Sequence, residues 1–193
     1  MKIIFFISLF ILSSCEIVDY GELNIYCVPA NEHYSDFPKL MQTEKEIYVK
    51  IFFHESCRYA PQLEDKSGWN KLIGLMPGWD PHINSARWAW RYDHEYDLIK
   101  LATYTYIDGT RNIEYIFSVP LQKWIELYVG YNDNRWFLLT GENELGKNIL
   151  APGLKRDKYY ILGLYFGGNG TPEHQICVSY IFGEEKGFRI NTD

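Results

Sequence analysis

The sequence predicts an all-β fold, a two-sheet antiparallel β-sandwich of the jelly-roll type with little helix. Three observations carry this. Aromatic residues make up 17% of the chain, with 16 Tyr among them. They recur in short alternating runs and not at helical spacing, the period-two signature of half-buried strands. The runs are separated by turn residues, including Asp-Gly at 108–109 and Asn-Asp-Asn at 132–134, which tolerate left-handed backbone and predict two hairpins.

In chain order the clearest runs are EIYVKIFF (46–53), SARWAWRY (85–92), DLIKLATYTYI (97–107), IEYIFSV (113–119), WIELYVGY (124–131), RWFLLT (135–140), KYYILGLYF (158–166) and QICVSYIF (175–182). Many antiparallel strands in a chain of this length close as a barrel or stack as two sheets, and the long runs 97–107 and 158–166 favour the stacked form. Residues 37–47, FPKLMQTEKEI, are the one stretch with helical potential, with Pro38 acceptable in a first turn.

The N-terminus reads as an address. One Lys is followed by an apolar run from Ile3 to Leu12, too short for a membrane-spanning helix and suited to a secretory signal. Leu12-Ser13-Ser14-Cys15 has the pattern of a bacterial lipobox, so the expectation is a signal over 1–14, acylation of Cys15, a lipidated tether over 15–23 and one sandwich domain over 24–193. Several acyl chains on one Cys anchor a protein without any spanning helix. The expected location is the bacterial cell envelope, extracytoplasmic, with the membrane contacted only through the lipid.

Nineteen Lys and Arg against 25 Asp and Glu give a net charge of −6, and loss of Lys2 with the signal would deepen this by one unit. Such a chain is a poor partner for polyphosphate, so nucleic acid is set aside. With Cys15 spent on lipid, Cys27, Cys57 and Cys177 remain, and an odd count leaves at least one thiol unpaired. Cys177, in the apolar alternation of its run, reads as a buried small hydrophobe. A Cys27–Cys57 bridge stays open, though spacing alone does not establish it. Zinc-type Cys spacing, a nucleophile elbow and phosphate-loop signatures are all missing from the sequence.

Two segments can carry chemistry. In SARWAWRY, alternation places Ala86, Trp88, Trp90 and Tyr92 on one face and Ser85, Arg87, Ala89 and Arg91 on the other. With the tryptophans in the core, Arg87 and Arg91 stand roughly 13 Å apart along the strand and can grip two anionic groups of an extended ligand. The competing account pairs both arginines with surface carboxylates. The opposite assignment, with the tryptophans as an exposed stacking platform for sugar rings, is also physically allowed. The preceding loop brings His82 and Asn84. The second segment runs from Tyr165 through Gly167, Gly168 and Gly170 to Glu173 and His174, a sharply folded loop that either contacts a ligand or simply links two strands. His82 and His174 with Asp80 or Glu173 would suit a divalent ion, but nothing in their spacing brings them together, and no metal or cofactor is expected.

Asn84, Ser85, Arg87 and Arg91, then Tyr104, Tyr106, Asp108, Gly109 and Arg111, then Tyr165, Phe166, Gly167, Gly168 and His174 together resemble a group of uncharacterised lipoproteins of Bacteroides-type bacteria. The likeness covers roughly residues 69–182. It implies a concanavalin-like jelly roll in a cell envelope rich in glycan-handling lipoproteins, and it implies no established activity. This chain departs from that pattern where Glu173 and Gln175 flank His174 in place of a Pro-His-Asp run, which weakens a catalytic or metal role for the loop.

Three readings follow. The first is a lipoprotein whose sandwich binds a polysaccharide through Arg87, Arg91, His82, Asn84, His174 and Tyr165. The second is a polysaccharide lyase or hydrolase, which needs a His or Tyr base beside an arginine. The third is a structural envelope subunit with an exposed aromatic interface. The sequence leaves open whether the chain is an enzyme.

Overall fold

The computed structural model describes residues 20–38, 41–43, 45–60, 68–141, 145–154, 156–168 and 170–183. Residues 1–14, read as a signal, and Cys15 lie outside them.

Twelve antiparallel strands form two six-stranded sheets, as the alternating runs predict. They are β1 (Tyr20–Val28), β2 (Gln42–Thr43), β3 (Glu46–Phe53), β4 (Asn70–Met76), β5 (Ser85–Asp93), β6 (Leu98–Ile107), β7 (Thr110–Pro120), β8 (Trp124–Asn132), β9 (Arg135–Thr140), β10 (Gly146–Leu150), β11 (Tyr159–Leu162) and β12 (Ile176–Gly183). The back sheet has the order β1-β12-β3-β8-β9-β10, and the front sheet β2-β11-β4-β5-β6-β7. Both expected hairpins form: left-handed Asp108 and Gly109 join β6 to β7, and left-handed Asp133 and Asn134 join β8 to β9.

The core lies between the sheets because each strand buries alternate residues. Ile47, Val49, Ile51 and Phe53 of β3 meet Trp88 and Trp90 of β5, with Leu72 and Leu75 of β4, Ile99 and Leu101 of β6, Leu127 and Val129 of β8 and Trp136 of β9 in the same cluster. Two buried polar groups tie sheet to sheet. The Trp88 indole N–H donates to the Tyr128 carbonyl at 3.0 Å, and the Tyr180 hydroxyl donates to the Leu72 carbonyl at 3.0 Å. Such bonds remove the cost of burying a polar atom and fix the stacking register. Trp88 and Trp90 are therefore core, and the exposed-platform assignment fails.

Several expectations are corrected. The sheet begins at Tyr20, inside the stretch 15–23 read as tether. No α-helix forms at 37–47: among its described residues, Phe37 is buried, Gln42–Thr43 pair with β11, and Glu46 opens β3. The run 158–166 is not one strand. It leaves β11 after Leu162, where a Cβ on Gly163 would stand 2.1 Å from the Phe37 ring, and then makes a bridge from Tyr165 to Lys71. Strands β1, β2, β4 and β10 were not among the runs read from the sequence.

The cysteine reading is also overturned. Ile176, Val178 and Tyr180 of β12 fill the core, so Cys177 faces outward, directly opposite Cys27 of β1, and the two are disulfide-bonded. Cys57 is the buried thiol: it donates to the Cys177 carbonyl at 3.3 Å, and burial pushes its ionisation well above the ordinary range. It behaves as a small core hydrophobe and not as a nucleophile.

Candidate functional site

The outer face of the front sheet is hollowed into a cleft of about 1190 Å³. Strand register explains the hollow. One cross-strand row reads Leu162, Gly74, Arg87, Tyr104, Ile113, and the next reads Lys71, Ala89, Ala102, Tyr115. Gly74, Ala89 and Ala102 lower the floor between larger side chains of the same two rows, and rings form the walls. Gly74 is specifically required: a Cβ there would stand 2.3 Å from the Ala86 carbonyl oxygen and 2.6 Å from Arg87 Cγ, so its absence lets the Arg87 stem lie against the sheet.

Trp69, Tyr104, Tyr106 and Tyr165 line the interior, and Tyr34, Trp79 and Tyr115 stand exposed at the mouth. Four cations, Lys71, Arg87, Arg91 and Arg111, line it as well. The described lining contains no Asp or Glu. The cations lie against rings: Lys71 Nζ is 4.8 Å from the Tyr104 ring centroid and 5.5 Å from that of Tyr165, and Arg91 is 4.7 Å from that of Trp69.

Arg87 is the anomaly. It is 8% exposed, and its guanidinium makes only long contacts, Nη2 to the Pro81 carbonyl at 3.3 Å and to Ser85 Oγ at 3.5 Å, while Nε has no hydrogen-bond partner. Desolvation pulls its pKa down to about 10, partly opposed by Tyr104, Tyr106 and Tyr165, so it is still charged at neutral pH. Beside it, burial raises the Tyr104 phenol, but a hydrogen bond from Tyr106 and the charges of Lys71 and Arg111 outweigh that, and its net direction is down.

A second hollow of about 480 Å³ shares Gly68, Arg91 and Gly168 with the first, so the two adjoin at that rim. Asn70 anchors the rim from below, accepting from the Gly167 amide at 2.8 Å and donating to the Tyr59 hydroxyl at 3.0 Å.

Of the residues singled out in the sequence, Arg87, Arg91, Tyr165 and His82 line the cleft. His82 is at the mouth, edge-on to the Tyr106 ring at 5.1 Å. Asn84 and His174 are not in the lining. The Asn84 side-chain oxygen Oδ1 accepts from the Asp108 amide at 3.0 Å and clamps the β6–β7 turn, while His174 Nε2 lies 2.8 Å from the Ser56 carbonyl oxygen, beside the turn Glu55–Cys57. The proposed set of His82, His174 and a carboxylate is not assembled, and among the described residues no group of three or more His, Cys, Asp or Glu is placed to hold a metal. Trp69, Lys71, Trp79 and Tyr115 were missed. Tyr104, Tyr106 and Arg111 stood only in the quoted resemblance, although pairing Ser85 with Tyr106 and Arg87 with Tyr104 puts them on the arginine face.

No family model matches the chain, and no curated protein does either. Solved structures similar to it include a LamA variant from Z. galactanivorans in complex with laminaritriose and laminaritetraose, at 10% identity and TM-score 0.49, covering 84% of this chain and 78% of that one. Alginate lyase AlyC3 is 12% identical at TM-score 0.49, covering 82% and 71%. A beta-1,3-glucanase from Mycobacterium marinum is 10% identical at TM-score 0.44, covering 75% and 65%. At these identities no activity passes from them to this chain.

Proposed function

We propose that this chain is an exported lipoprotein of the bacterial cell envelope, anchored through Cys15, whose front-sheet cleft binds a polysaccharide. The observation that carries the binding reading is the cleft of about 1190 Å³ walled by Trp69, Trp79, Tyr34, Tyr104, Tyr115 and Tyr165. Rigid rings at the mouth of a groove stack on the apolar faces of sugars at low entropic cost, and the phenol hydroxyls reach sugar hydroxyls. The adjoining second hollow lengthens the track for a chain of several sugars. An assembly subunit has no need of such a groove.

The enzymatic alternatives divide on the lining. Glycoside hydrolysis ordinarily uses two carboxylates flanking the bond; the described lining of the main cleft supplies none, and the carboxylates of the track are Asp93 and Glu95 in the adjoining hollow, where Asp93 is already paired with Lys100 at 2.5 Å. Elimination needs a proton acceptor, and the described lining offers the Tyr104 phenol, which burial raises but Tyr106, Lys71 and Arg111 draw down on balance, and the His82 imidazole at the mouth.

Isothermal titration of the full chain against neutral and acidic polysaccharides tests the binding reading. Saturable heat with at least one polymer, reduced by Trp69→Ala, supports it, and no heat across the panel contradicts it. Incorporation of labelled palmitate, abolished in Cys15→Ala, tests the anchor.

A further inference from the structure

Resting on the glycan reading, we propose that the sugar held in the cleft is a uronate whose carboxylate sits at Arg87. A buried guanidinium normally carries a carboxylate partner, because the cost of taking the charge out of water is otherwise uncompensated. Arg87 is 8% exposed, has no carboxylate partner among the described residues, and leaves Nε without any acceptor. The exposed remainder of the guanidinium is cleft lining, in a groove whose other charges are Lys71, Arg91 and Arg111. Arg87 is the charge left for a ligand to answer.

The overall charge argues the same way. A chain of net charge −6 repels polyanions at long range, so an anionic polymer gains nothing from general attraction and must be recognised locally. Carboxylate fits better than sulfate ester. The planar guanidinium fork matches a planar two-oxygen acceptor. The phenols of Tyr104 and Tyr165 in the lining are donors, and they bond more strongly to the basic oxygens of a carboxylate than to the weakly basic oxygens of a sulfate.

The test is titration of the full chain with three polyuronates (mannuronate, guluronate and galacturonate polymers), each beside its carboxyl-reduced counterpart of identical linkage, and with a sulfated galactan. The expected result is binding of at least one polyuronate and a loss of about 30-fold or more for its reduced counterpart, with a similar loss in Arg87→Gln. The ligand pair needs no mutation, so a misfolded variant does not spoil the result. A reduced polymer that binds as tightly as its acid overturns the uronate assignment and leaves the glycan reading standing. Equal or tighter Arg87-dependent binding of the sulfated polymer overturns the carboxylate. Silence from every neutral and acidic polymer overturns both readings together.

Discussion

The outer faces of the two sheets follow the same alternation and end in opposite states. On the back sheet, Lys50 of β3 pairs with Glu126 of β8 at 3.2 Å, and rings cover the backbone on either side, Tyr48 against Tyr128 at 4.8 Å and Phe52 against Trp124 at 5.3 Å. The front-sheet cleft is lined by four cations with no Asp or Glu in its described lining, around a floor of Gly74, Ala89 and Ala102, and Asp93 pairs with Lys100 at 2.5 Å beyond it on the same face. A face that neutralises its own charge has nothing left to offer a ligand. Arg87, buried without a carboxylate partner among the described residues, has given up some stability, and such a local violation marks functional ground.

The largest effect sharpens what both faces share. Trp88 is fully buried and donates to the Tyr128 carbonyl across the core, so Trp88→Ala should cost about 3–5 kcal/mol in urea unfolding and blur both faces together. A loss under about 1 kcal/mol would mean the sheets are held otherwise. Next comes the back-sheet edge. The Cys27–Cys177 bridge spans a sequence separation of 150, and Cys27→Ser should cost about 2–5 kcal/mol while leaving glycan affinity intact in the folded fraction. Loss of binding at unchanged stability would place the ligand at that edge.

Smaller effects divide the faces directly. Arg87→Met replaces a buried, poorly bonded charge with an apolar chain of similar reach, and should leave stability unchanged or raise it by on the order of 1 kcal/mol while removing ligand binding. Lys50→Met on the back sheet should cost less than about 1 kcal/mol and leave binding untouched. A destabilised Arg87→Met would show that the guanidinium is structural.

The smallest effect concerns pH. Hydrogen bonds from Arg58 at 2.6 and 2.9 Å and from the Tyr92 hydroxyl at 2.7 Å hold the Asp97 carboxylate, pulling its pKa down to about 2. Its folded value is below the unfolded one, so its contribution is complete above the ordinary carboxylate range and fades as pH falls toward about 2. Melting temperature against pH should therefore fall less steeply between pH 4 and 2 for Asp97→Asn than for the parent. Parallel curves would remove Asp97 from the acid limb.

How much of this was legible depended on period and register. Alternation alone put Trp88 and Trp90 on one face of β5 and Arg87 and Arg91 on the other, but which face is inside was settled only by the packing of the two sheets. It did not reveal β4, where a register shift between Lys71 and Ile73 breaks the pattern, and with β4 went Trp69 and Lys71. The cleft needed pairing as well as period, because Tyr104 joins Arg87 only once β6 is set beside β5 in the observed register. The disulfide needed topology: Cys27 and Cys177 become neighbours only because β12 returns to the first strand. His174 looked chemical in a glycine-rich loop and instead faces the Ser56 carbonyl oxygen, a placement no local pattern encodes.

The most direct test of the account is amide and side-chain NMR of the isotope-labelled full chain, titrated with the tightest-binding oligosaccharide from the panel. The account predicts shifts concentrated on Trp69, Lys71, Arg87, Tyr104 and Tyr165 of the front-sheet cleft, with Phe52, Trp124 and Ile181 of the back sheet unmoved. Shifts centred on Phe52 and Trp124, with Arg87 and Tyr104 silent, would contradict it.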